Sequence, residues 1–124
     1  MEPIRSPKFA PYVTTNNAAG LIRFIEDGIG GTAGFRATDD AGRIAHAEMR
    51  VADAVLMLAD VPSGRPAFPA MLHLYVDDAD AAYERALRAG ATSVRPPTDQ
   101  PDGDRRGGVR DPFGNEWWFS QAKA

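Results

Sequence analysis

Residues Val109–Ser120, VRDPFGNEWWFS, constrain the fold more than any other part of the chain. They read as a strand, a tight turn at Asp111-Pro112-Phe113-Gly114, and a second strand carrying two adjacent tryptophans. Pro112 presets φ for the turn, and Gly114 can take the positive φ that closing it requires. Period-2 alternation sends Trp117 and Phe119 to one face, and Glu116 and Trp118 to the other. A large aromatic on each face predicts that both faces are covered, one of them by a ligand.

At 124 residues the chain has room for one domain with a real core and not for two. Hydrophobic and charged contents of 44% and 25% are those of an ordinary globular protein. A formal net charge of −3 and a pI near 5.3 argue against nucleic acid or an anionic membrane as partner. Zero cysteines exclude a disulfide framework, a thiol nucleophile and a thiolate metal site. No run approaches the ~18 apolar residues of a membrane helix, and the start of the chain has no signal-peptide core. A cytoplasmic location is therefore expected.

The order strand, helix, three strands occurs twice. The first copy predicts a strand over Ala10–Thr15 and a helix capped by Asn16 or Asn17, with Leu21, Ile22, Phe24, Ile25 and Ile29 at helical spacing. Glycines 28–31 end that helix, and strands follow over Gly34–Thr38, Ile44–Val51 and Ala54–Ala59. The second copy predicts a strand over Met71–Val76 and a helix from an Asp77 or Asp78 cap to Ala89. Leu21, Phe24, Ile25 and Gly28 map onto Tyr83, Ala86, Leu87 and Gly90 at an offset of 62 (83 − 21). The proline-rich segment Val61–Pro69 links the copies, giving modules over about 8–60 and 70–121 within one domain, 1–124. A second long loop is expected over Pro96–Gly108.

Alternation also assigns faces. Ala45, Ala47, Met49 and Val51 make an apolar face, opposed by Ile44, His46, Glu48 and Arg50. Leu72, Leu74 and Val76 oppose Met71, His73 and Tyr75. If the mixed faces converge with Glu116 and Trp118, they form an amphipathic pocket suited to a ligand. The alternative is that His46 and His73 are exposed or hydrogen-bonded sheet residues.

The signature hairpin, together with Pro11-Tyr12-Val13, His46–Arg50, Leu74–Asp78 and Gly103-Asp104-Arg105, resembles the vicinal oxygen chelate superfamily. That superfamily holds glyoxalase I, bleomycin-resistance proteins and extradiol dioxygenases. The match runs from about Pro11 to Ser120 and fits the small glyoxalase-like branch. It implies an α+β fold in which two βαβββ modules form a curled eight-stranded mixed sheet around a cavity. It also implies a homodimer. Metal-dependent members use four His or Glu ligands, which carry over to about Ala10, Glu48, Met71 and Trp118. Only Glu48 is a credible ligand there, because the other three offer no donor suited to a hard divalent ion.

The expectation is thus a protein that needs no cofactor and binds a small planar or cationic molecule. His46, Glu48, Arg50, Met71, His73, Tyr75, Glu116 and Trp118 would line the site, as in antibiotic-sequestering relatives. The rival is a lyase, isomerase or dioxygenase with a displaced Zn, Ni or Fe site at His46, Glu48, His73 and Glu116. A third reading is metal-independent acid–base catalysis by His46, Glu48 or His73. Asp104-Arg105-Arg106 could clamp an anion, or Arg105 could anchor its own loop.

Overall fold

The computed structural model describes residues 7–123, which build two βαβββ modules. The first comprises β1 (Tyr12–Thr15), α1 (Ala18–Phe24) running into one π-helical turn (Ile25–Ile29), β2 (Thr32–Thr38), β3 (Ile44–Val51) and β4 (Ala54–Asp60). The second comprises β5 (Met71–Tyr75), α2 (Ala79–Arg88), β6 (Thr92–Asp99), β7 (Arg105–Arg110) and β8 (Glu116–Gln121). The strands hydrogen-bond as two four-stranded sheets, ordered β1-β4-β3-β2 and β5-β8-β7-β6. In each sheet the first strand lies parallel to the last, and the other pairs are antiparallel. A parallel pair needs a crossover, and α1 and α2 are part of those crossovers. No helix among the described residues is long and apolar enough to cross a membrane.

Both helices start at the second of the two candidate caps. Asn17 Oδ1 accepts from the Gly20 N–H at 2.9 Å, and Asp78 Oδ1 from the Ala81 N–H at 3.0 Å. Gly30 and Gly90, at φ 87° and 113°, follow the helical segments in the left-handed half of φ space. The repeat offset is 61 through the first strand and the helix cap, against the 62 read from the helices, and is 60 at Gly30 and Gly90. The caps differ by 61 (78 − 17), and so do Tyr12 and His73, each the partner of a β4 or β8 residue, Met57 and Trp118, that also differ by 61. Leu21 and Ile22 are both buried, so the apolar stripe of α1 is wide enough to slide by one residue against that of α2.

One core serves both modules. Val13, Leu21, Ile25 and Leu58 pack with Tyr83, Val109, Trp117 and Phe119, and the Phe24 and Trp117 ring centroids lie 6.3 Å apart. The helices meet closely, since a Cβ on Gly28 would fall 2.9 Å from that of Ala89.

Two local expectations are corrected. Pro96 and Pro97 lie inside β6, so the loop expected over Pro96–Gly108 shrinks to residues 100–104. β6 is an edge strand with irregular pairing between Arg95 and Thr98, where missing N–H donors are tolerated. Ile44 belongs to the core rather than to the His46 face, and Ala45 is exposed. Here one step along β2, Ala37 to Thr38, faces two along β3, His46 to Ile44, and this bulge reverses the alternation.

Candidate functional site

The signature hairpin is first a positioning device. Asp111, 3% exposed, accepts four hydrogen bonds. Its Oδ1 takes the N–H groups of Phe113 (2.8 Å) and Asn115 (3.0 Å), and its Oδ2 takes Asn115 Nδ2 and Trp117 Nε1, both at 2.9 Å. Asn115 Oδ1 in turn accepts from the Ala70 N–H at 3.0 Å, tying the turn to the start of β5. Trp117 and Phe119 are thereby fixed in the core at 1% exposure, and Trp118 must face the other way.

That other face of the second sheet can be read from the cross-strand register as three rows. Met71, Glu116, Arg110 and Thr92 form the first. His73, Trp118, Gly108 and Arg95 form the second, and Tyr75, Ser120, Arg106 and Thr98 the third. Trp118 lies down over its neighbour Gly108, where a Cβ would fall 2.6–2.8 Å from indole carbons. Its Nε1–H donates to Glu116 Oε1 at 3.1 Å, and Arg110 donates to Glu116 Oε2 at 2.8 Å. Arg110, and then Trp118, hold the Glu116 carboxyl below its usual pKa. The Arg95 guanidinium carbon sits 6.0 Å from the indole centroid, within cation–π range.

Row three holds a hydrogen-bonded chain. Arg106 Nε–H donates to Ser120 Oγ at 2.6 Å, and Ser120 Oγ lies 2.7 Å from His73 Nε2. Arginine can only donate, so Ser120 Oγ accepts from Arg106 and still has a proton and a second lone pair with which to meet His73 Nε2. Burial, and then the Arg106 charge, lower the His73 pKa and favour the neutral ring. Ser120 is fully buried.

The first sheet carries a different set. His46 Nε2 lies 3.0 Å from Glu48 Oε2, and His46 Nδ1 lies 3.0 Å from the Tyr12 hydroxyl. With Glu48 ionised it can only accept, in which case Nε2–H donates inward and the Nδ1 of a neutral ring receives the Tyr12 O–H. Glu48 is 4% exposed, and burial raises the Tyr12 pKa. Arg50 is exposed. Phe35 stands 6.2 Å from His46, centroid to centroid.

The expected site residues therefore divide. His46, Glu48 and Arg50 lie on the first sheet, and Met71, His73, Tyr75, Glu116 and Trp118 on the second. The displaced metal set is split the same way, with every member already hydrogen-bonded. Among the described residues no three His, Asp or Glu side chains gather as metal donors. Ala10 and Met71 carry no suitable donor, and Met71 is 70% exposed. The donor set within the chain does not fit the metal used by catalytic relatives. A cavity of about 570 Å³ opens between the β3–β4 turn and β5, lined by Pro11, Ala52, Val55, Leu72, His73 and Tyr75 among others. It meets the Trp118 face only at His73 and Tyr75.

Arg105 anchors rather than binds. It donates to both Asp80 oxygens, at 2.6 and 3.1 Å, and to Asp99 at 3.0 Å, which raises its own pKa and lowers that of Asp80. Sequence reasoning did not single out Gly108, Arg95 or Tyr12 as site residues, and it offered Arg106 only as part of an anion clamp with Asp104 and Arg105. Gly108 could have been found by pairing the signature strands, since it faces Trp118.

Residues 9–119 match the family model for the Glyoxalase/Bleomycin resistance protein/Dioxygenase superfamily. The chain belongs to that superfamily. An uncharacterised Mycobacterium tuberculosis (strain H37Rv) protein is 34% identical over 126 residues, spanning 93% of this chain and 74% of its own length. TioX from Micromonospora sp. ML1 superposes with a TM-score of 0.77 at 23% identity, covering 91% of this chain and 96% of its own. A glyoxalase I variant from Zea mays superposes at 0.76 with 13% identity, covering 93% of this chain and 44% of its own. At these identities the superpositions establish the glyoxalase-superfamily fold alone.

Proposed function

We propose that this chain is a binding member of the superfamily that takes a small planar molecule on the exposed face of its second sheet. The observation that carries the reading is the Trp118–Gly108 pair. A glycine directly opposite lets the indole lie flat, and Glu116 fixes its rotation, so an aromatic platform stands ready before any ligand arrives. His73 and Tyr75 border the platform where it meets the cavity beside β5. Titration with neutral naphthalene-2-methanol tests the reading through tryptophan quenching. Saturable quenching that Trp118→Leu removes supports it, and absence of quenching by this probe and by its carboxylate and ammonium analogues contradicts it.

A homodimer is part of the same reading. Phe9, Phe68, Met71 and Tyr75 are 70–88% exposed, and β5 is an outer strand of its sheet. A second copy covering these residues would complete the wall of the site. Light scattering should give twice the 13.4 kDa chain mass, and a single 13.4 kDa species would remove this part of the proposal.

A second reading rests on the Tyr12–His46–Glu48 chain. A buried carboxylate, an imidazole and a phenol in hydrogen-bond sequence form an arrangement that can move a proton to or from a ligand without a metal. Proton exchange into a carbonyl-activated C–H of a bound probe, lost in His46→Gln, would favour it over pure binding.

A further inference from the structure

Three arginines, Arg95, Arg106 and Arg110, stand on the binding face of the second sheet against one carboxylate, Glu116, in a protein whose net charge is −3. The three arginines differ in what they already hold. Arg110 is paired with Glu116, and Arg106 with Asp102 (3.3 Å) and Asp104 (3.5 Å). Arg95 has no carboxylate within ion-pair distance among the described residues, and its guanidinium lies beside the Trp118 ring. The carboxylates expected to draw a cation are engaged, Glu116 by Arg110 and Trp118, and Glu48 by His46.

We infer that the ligand of this face is a planar aromatic anion, a carboxylate or a compound of like charge. Its ring lies on Trp118, and its anionic group is held by Arg95, the guanidinium beside that ring. This rests on the planar-binder reading and adds the sign of the ligand's charge. Arg95 is exposed but stands beside an indole that limits its orientations, so it meets a carboxylate at a smaller ordering cost than a free surface arginine. A cationic ligand would meet the Arg95 charge at the same place, with no unengaged carboxylate on the face to offset it.

Three probes of one shape separate the possibilities: 2-naphthoate, neutral naphthalene-2-methanol and 2-naphthylmethylammonium, titrated at low ionic strength against the full-length protein. The expected order is naphthoate tightest, by about tenfold over the ammonium compound, with the alcohol between. Arg95→Gln should bring the three within about twofold of one another, and Arg95→Lys should restore part of the preference. Binding of the alcohol with equal or tighter binding of the ammonium probe overturns the anion assignment and leaves the planar reading standing. A naphthoate preference that survives Arg95→Gln overturns the role of Arg95. If none of the three binds, the planar reading itself falls.

Discussion

Asp111 shows how much one carboxylate can decide. Four donors converge on it in a buried turn, and two of them, Asn115 Nδ2 and Trp117 Nε1, belong to buried side chains. Asp111→Ala should cost roughly 3–5 kcal/mol in denaturant unfolding, because each orphaned donor carries its own desolvation penalty. A loss below about 1 kcal/mol would mean that water replaces the carboxylate. Gly108→Ala makes the complementary prediction. Its Cβ would press on the face of the Trp118 indole and tilt it, so ligand affinity should fall along with the roughly 1–3 kcal/mol lost from stability. His73 gives a pH signature. Its native pKa lies below its ordinary value of 6.5, so the unfolded chain binds the proton more readily. Stability should therefore fall as pH drops from about 6.5 through the lowered native pKa, and level off below it. His73→Asn should flatten that window. The residue scale was only partly legible in the sequence. Alternation gave the faces of Trp117 and Trp118, but it could not show that Arg95 reaches Trp118, since that contact depends on how two strands pair.

At the scale of elements, the sequence disclosed what local chemistry controls. Cap residues, stop glycines and the signature turn all lie within a few positions of the backbone groups they satisfy. Asn17→Ala and Asp78→Ala should each lower stability by about 1 kcal/mol, read as separate shifts in the thermal midpoint. Strand β6 was hidden for a matching reason. Its prolines argue against a central strand, and only the order β5-β8-β7-β6 shows that it lies at an edge. The bulge at Ala45 was hidden too, because a single extra residue reverses inside and outside without any special residue to mark it.

For the whole molecule, the two modules share a core through their helices, while the candidate chemistry lies on two different sheets. The first sheet holds a proton-transfer chain and the second an aromatic, basic platform. No sequence spacing could have separated these, because strands of both sheets contribute similar His, Glu and Arg residues. The central claim is that ligand binds at Trp118. The chain has two tryptophans, one buried in the core and one on the platform, so its indole N–H groups give two reporters in a proton–nitrogen correlation spectrum. Titrating 2-naphthoate should move the Trp118 resonance and that of the Arg95 side chain while leaving Trp117 nearly still. Movement confined to Ala52–Val55 and the cavity beside β5, with Trp118 unchanged, would place the ligand elsewhere and contradict the account.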